Sequence, residues 1–264
     1  MQLSPDIVAN FVLITCGLAL IAVLAWRWRR GGNTFGEHFW YSTNRLFTRI
    51  LWRASFSRPL PVKPGQGAVI VCNHSAGIDP LLIQLAAPRK VHWMVAREYV
   101  ENRFMRAALT TVGSIPVNRG GIDTASTKQA IRICQQGGLV GMFPEGRINR
   151  TADVLLPGRP GSAFVALKAR VPVIPCYVVG APYDGTALGS FYMPAKARVI
   201  VGEPIDISAY FDRANDRAAQ QELTLRFMCE IAKLAGASDY VPQLAGKNWK
   251  TGAEEKVENA PSEP

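Results

Sequence analysis

The sequence predicts an α/β protein, a mostly parallel sheet flanked by helices, with an N-terminal transmembrane or membrane-inserted helix ahead of it. Three observations predict this. Short apolar runs alternate with stretches of helical periodicity from Ala68 to Val201, the pattern of crossover units that lay parallel strands side by side. One of these runs, Gly67 to Cys72, passes through turn-forming residues directly into a helix start at Pro80. Ahead of both, Ile7 to Trp26 is uncharged, and about twenty such residues span about 30 Å as a helix, the thickness of a bilayer's hydrocarbon core.

The elements follow in order. A cleaved signal peptide is the alternative for Ile7 to Trp26, but no basic segment precedes the run and it exceeds the usual apolar core of such a peptide. Asp6 lies before it, Arg27, Arg29 and Arg30 after it, and Trp26 and Trp28 at the boundary, which places the rest of the chain on the cytoplasmic side. Residues 1–31 are therefore expected to be a membrane anchor and 32–58 an interfacial amphipathic segment. Within Thr34 to Phe56, Arg45, Arg49 and Arg53 recur every four residues beside Phe39, Trp40, Leu46, Phe47 and Ile50. On a helix they form a cationic stripe next to an apolar face, suited to anionic lipid or to packing on the following domain. Pro59 to Gly67 is a linker. After it, strands are expected at Ala68–Cys72, Val91–Ala96, Ser114–Val117, Leu139–Phe143 and Val173–Val179, with an edge strand at Lys196–Val201. Helices are expected at Pro80–Ala87, Glu98–Thr111, Thr124–Gln136, Ser162–Arg170 and Arg213–Ala235. A catalytic domain over 59–245 and a mobile polar tail over 246–264 complete the division.

The composition narrows the partners. A formal charge of +10 with 48% hydrophobic residues fits a membrane surface or phosphorylated substrates. Nucleic acid is the weakest of the anionic partners and none is expected, because no recognisable binding signature accompanies the charge. Cys16, Cys72, Cys134, Cys176 and Cys229 are widely spaced, mostly within apolar runs. They read as reduced thiols without metal-ligand spacing.

Ligands of open α/β sheets bind at the carboxyl ends of the strands. His74 stands at such an end, with Asp79 suited to cap the helix that starts at Pro80. Positions five apart do not share a helix face, so the two meet only if the turn folds one back toward the other. Three more strand ends bear on the site. Gly113 to Arg119 ends in an arginine before Gly120-Gly121, whose planar fork can grip a phosphate at two points. Phe143-Pro144-Glu145-Gly146-Arg147-Ile148-Asn149-Arg150 puts a carboxylate where it would hold a substrate hydroxyl or fix an arginine, and a glycine that admits close backbone approach. Val171-Pro172-Val173-Ile174-Pro175 carries two prolines that shape an apolar wall.

Taken in that order, Asn73-His74-x4-Asp79, Gly113 to Arg119, Phe143 to Gly146 and Val171 to Pro175 resemble the four motifs of the glycerolipid acyltransferase family. The ordered set is far more specific than any single motif. The resemblance covers about residues 65–205. It implies that His74 and Asp79 form the catalytic dyad, with Asn73 in the same motif. Gly113, Arg119, Glu145, Gly146, Arg147 and Arg150 would bind the acceptor's phosphate and glycerol, and Pro175 would line a pocket. It further implies transfer of a fatty acyl group from acyl-CoA or acyl carrier protein, as co-substrate, to a lysophospholipid such as lysophosphatidic acid, with no cofactor and no metal. Another lysolipid or lipid amine as acceptor, and an inactive membrane-tethered binding protein, are the alternatives. The third motif departs from the family pattern: Arg147 stands where Thr is usual and Ile148 where Arg is usual.

Overall fold

Parallel pairing needs strands that are apolar on both faces, and Ala68 to Cys72 is buried throughout. The computed structural model describes Thr15 and residues 35–101, 103, 105–118, 123–182 and 189–246. Apart from Thr15, the expected anchor lies outside the described residues, as does the tail after Gly246. No helix among the described residues is long and apolar enough to cross a membrane. The chain divides into two compact units, residues 1–44 and 45–264, and the boundary falls within helix α1 (Phe35–Ile50).

The second unit is built on a seven-stranded sheet. Its strands are β1 (Ser55–Phe56), β2 (Ala68–Cys72), β3 (Val91–Ala96), β4 (Ile115–Val117), β5 (Leu139–Met142), β6 (Val173–Val179) and β7 (Arg198–Val201), in the spatial order β1-β7-β6-β2-β5-β3-β4. Strands β2 to β6 are mutually parallel, and β7 runs antiparallel to β6. Helices α2 (Asp79–Ala86), α3 (Arg97–Glu101), α4 (Arg106–Thr111), α5 (Thr124–Gln135), α6 (Gly161–Ala169) and α7 (Arg217–Leu234) connect or close it.

Successive side chains of a strand point to opposite faces, and β2 shows where each half of the core lies. Val69 and Val71 join Ala166, Leu167, Leu223, Phe227 and Ile231 from α6 and α7. Ala68, Ile70 and Cys72 join Leu82, Ile83 and Ala86 from α2, together with Trp52. Each fully buried aliphatic side chain contributes about 1.5–3 kcal/mol through loss of apolar contact with water. Asp123 caps α5 by accepting from Ser126 N, and Asp216 caps α7 by accepting from Ala218 N.

Several expectations are corrected. Lys196–Val201 is not an edge strand: β1 pairs with its β7 core, Ser55 opposite Arg198. The helix expected over Glu98–Thr111 is two short ones, α3 and α4. The arginine stripe is shorter than expected, since α1 ends at Ile50 and Arg53 sits beyond it with φ 44°. Trp52, in the same turn, is fully buried and donates through Nε1 to Ser190 O at 3.1 Å.

Candidate active site

Because β2, β3, β4, β5 and β6 run the same way, the residues that follow them leave the sheet along one edge. The register pairs Cys72 with Cys176 and Val71 with Met142, which brings Asn73-His74 and the loop after Met142 out together. Asn73 is buried, and its amide pairs twice with one residue of β6, donating to Val178 O at 2.9 Å and accepting from Val178 N at 2.7 Å. It extends the β2–β6 ladder with side-chain atoms, so both its polar ends are used by the backbone.

His74 and Asp79 do meet. The Asp79 carboxylate is fully buried, and its Oδ2 lies 3.0 Å from His74 Nδ1. The expected capping role is corrected: α2 begins at Asp79 itself, Ile78 is the N-cap, and no side-chain cap bond forms. The carboxylate turns back over the preceding turn instead, accepting from Ser75 N at 2.7 Å, Ala76 N at 2.9 Å and Ser75 Oγ at 3.2 Å. A group surrounded by donors in this way acts as an acceptor. The proton in the His74–Asp79 bond therefore sits on Nδ1, and in the neutral imidazole this tautomer carries the lone pair on Nε2.

The β5 exit loop holds His74 from the other side. His74 N donates to Glu145 Oε1 at 2.7 Å, Leu156 N to Glu145 Oε2 at 2.8 Å, and Asn149 N to His74 O at 2.7 Å. Glu145 is buried and both its oxygens are engaged by backbone amides. The carboxylate expected to meet a substrate hydroxyl or an arginine thus braces two loops. Burial pushes Glu145 up to about 7, against the two backbone hydrogen bonds and the Arg147 charge, which favour the ionised form. The Phe143 ring stacks on the His74 imidazole with centroids 3.8 Å apart and planes 6° apart.

Gly146 has φ 72°, a left-handed conformation that suits glycine. A Cβ there would come within 3.1 Å of Arg159 Cδ and 3.4 Å of Arg159 Nε. Arg159 thus lies across Gly146, and its charge acts on Arg147. Desolvation lowers both guanidinium groups from their usual range, with Arg159 a further cause for Arg147. Two cations thus stand at one loop and give it a local positive charge. Arg150 is exposed on the same loop.

The other expected residues are more scattered. Arg119 lies outside the described residues, two positions past the end of β4. Gly113 is at the opposite, amino end of the strands, where a Cβ would meet the His92 ring at 2.8 Å, so its φ of 69° serves a turn beneath the sheet. Pro175 is buried within β6, level with Val71, below the edge that carries His74. Sequence reading missed Arg159, whose only signal is its place between Gly158 and Pro160 after the same loop, and gave Phe143 no role. Among the described residues, no cluster of His, Cys, Asp or Glu is placed to hold a metal ion.

Residues 53–179 match the protein-family profile described as Acyltransferase. A 1-acyl-sn-glycerol-3-phosphate acyltransferase from Bacillus subtilis is 29% identical over 141 residues, 53% of this chain and 67% of that protein. Proteins of the same name from Limnanthes douglasii and Borreliella burgdorferi are 25% and 31% identical, with 61% and 47% of their lengths matched. The chain thus spans about half to two-thirds of these relatives. The crystal structure of the 1-acyl-sn-glycerophosphate (LPA) acyltransferase PlsC from Thermotoga maritima superposes with a TM-score of 0.59, covering 88% of this chain and 98% of that one. At 17% identity the likeness is one of fold.

Proposed function

The chain carries an Acyltransferase-family domain at residues 53–179, and from that premise we propose that it is a membrane-bound enzyme that acylates a lysophospholipid. The donor is an acyl thioester, acyl-CoA or acyl carrier protein, and the acceptor is lysophosphatidic acid, which becomes phosphatidic acid. The observation that carries this reading is the His74 Nδ1–Asp79 Oδ2 pair, 3.0 Å apart at the carboxyl edge of the sheet.

His74 Nε2 takes the proton from the acceptor hydroxyl as its oxygen attacks the thioester carbonyl. Asp79 holds the tautomer and stabilises the imidazolium that forms. The C–O bond closes, the C–S bond breaks, and the imidazolium returns the proton to the leaving thiolate. The acceptor's own hydroxyl stands where a hydrolase has serine, so no acyl-enzyme is required. Arg147 and Arg159 bind the acceptor phosphate, a role the family resemblance also gives to Arg119, which lies outside the described residues. Leu46, Phe47 and Ile50 are exposed on α1, as are Arg45 and Arg49, and this surface meets anionic lipid. The catalytic domain then faces the cytoplasm.

Purified protein given labelled acyl donors and a panel of lysolipids tests this. Wild type should acylate lysophosphatidic acid, and a folded His74→Ala variant should lose at least about 100-fold in turnover. Full activity in that variant removes the dyad. Preference for a different lysolipid or a lipid amine keeps the chemistry and reassigns the acceptor, an outcome that the Arg147-Ile148 departure makes worth including in the panel.

A further inference from the structure

We propose that Phe143, backed by Trp93, is a positioning residue that holds the His74 imidazole in one orientation, with Nδ1 on Asp79 and Nε2 toward the acceptor hydroxyl. The inference rests on the acyl-transfer reading for its kinetic consequence, but its geometry stands on the stack itself. A hydrogen bond at Nδ1 fixes one atom of the ring, and the terminal torsion of histidine is broad. The imidazole can therefore swing about the contact with Asp79 unless something meets its face. Phe143 does so, nearly parallel and 3.8 Å away.

A phenylalanine at a strand exit has the same freedom, and Trp93 removes it. The indole stacks on Phe143 at 4.8 Å and 22°. Trp93 is set in turn by β5, where it is paired with Gly141. A Cβ at Gly141 would come within 2.5 Å of the indole ring, so the absence of a side chain there is what lets the indole lie across the strand. The column Gly141, Trp93, Phe143, His74 draws on β5, β3, the β5 exit and the β2 exit, and β2, β5 and β3 are neighbours in the sheet. Trp93 is 5% exposed, and its Nε1 has no hydrogen-bond partner among the described residues. The indole thus serves this region through its ring face.

The test uses the full chain in detergent. Wild type, Phe143→Leu and Phe143→Tyr are compared for kcat and for KM of both substrates, and the carbon-bound ring protons of His74 are followed by NMR. In wild type those protons lie over an aromatic face and resonate upfield. The leucine variant should move them downfield and lower kcat about 10- to 100-fold, the scale of a misplaced catalytic group, with each KM within about twofold. Tyrosine should restore the upfield position and most of kcat, since it restores the ring, whereas a residue that only fills space would be served equally by leucine. If leucine fails to fold, Phe143→Met replaces the ring with a flexible apolar side chain and carries the same expectation. Wild-type kcat in a ringless variant, equal losses in leucine and tyrosine, or an unmoved His74 resonance would each overturn the proposal. If wild type transfers no acyl group from any donor, the enzymatic reading fails, and the ring resonances alone decide whether Phe143 orients His74.

Discussion

His74 is held by its side chain and by both of its backbone polar groups, and the contacts differ in how they respond to substitution. Asp79→Asn leaves one neutral carbonyl oxygen for the three donors that Oδ2 holds, His74 Nδ1, Ser75 N and Ala76 N, so charge-assisted hydrogen bonds become neutral ones at a cost of about 1–3 kcal/mol. Turnover should fall along with the unfolding midpoint, measured by thermal melts and by initial rates. Glu145 gives a pH signature. Its folded value of about 7 lies above the usual 4.5, so between those limits the folded chain holds a proton that the unfolded chain lacks, and stability falls as pH rises through that window. On going from pH 7.5 to 5, wild type should therefore gain up to about 3 kcal/mol relative to Glu145→Gln in denaturant titrations, because each tenfold change in proton activity within the window is worth about 1.4 kcal/mol. An identical pH dependence in the two proteins would contradict the burial cause. The His-x4-Asp pair was legible in the sequence because both residues belong to one strand-turn-helix. Asn73 and Glu145 were not, because their partners are backbone groups 105 and 71 residues away, at Val178 and His74. A polar residue that serves a distant main chain looks, in one dimension, the same as one that serves a ligand.

At the scale of elements, periodicity was enough wherever a segment had room to express it. Ala68–Cys72, Val91–Ala96 and Val173–Val179 form strands at the expected residues: the first and most of the third are buried on both faces, while the second buries only the alternate Val91 and Trp93. Strand β1 has two residues and no period; it exists because Ser55 N and Ser57 N donate to Ala197 O and Val199 O. The same limit hid the break between α3 and α4, since both halves carry helix-compatible residues. Gly141 offers a test at this scale. Its Cβ would collide with the Trp93 ring, while its neighbours in β5 accept side chains without difficulty. Gly141→Ala should therefore destabilise by about 1–3 kcal/mol, the usual penalty for overpacking a core, visible as a lower midpoint in urea. An unchanged midpoint would show that the indole can move aside.

For the whole molecule, the proposed contact with the bilayer rests on the +10 charge, the exposed Leu46, Phe47 and Ile50 and the uncharged Ile7 to Trp26. If that run spans the bilayer, the full chain should stay with membranes through high salt and carbonate and leave only with detergent, because screened charge does not hold a spanning helix. A chain released by salt alone would be a peripheral protein held by charge. Membrane attachment, if confirmed, brings the acceptor within reach, but what happens next depends on how the loop after β5 is tied down. Asn149 N donates to His74 O, and Glu145 joins His74 N to Leu156 N. His74 and the arginine-bearing loop are therefore tied to each other. On the proposed reading, a head group that pulls on Arg147 also pulls on the imidazole, so a poor fit at the head group is felt in the rate. A poorly fitting lysolipid would then be rejected through slow turnover while still binding well, and such lipids would act as competitive occupants of the enzyme as they accumulate in the membrane.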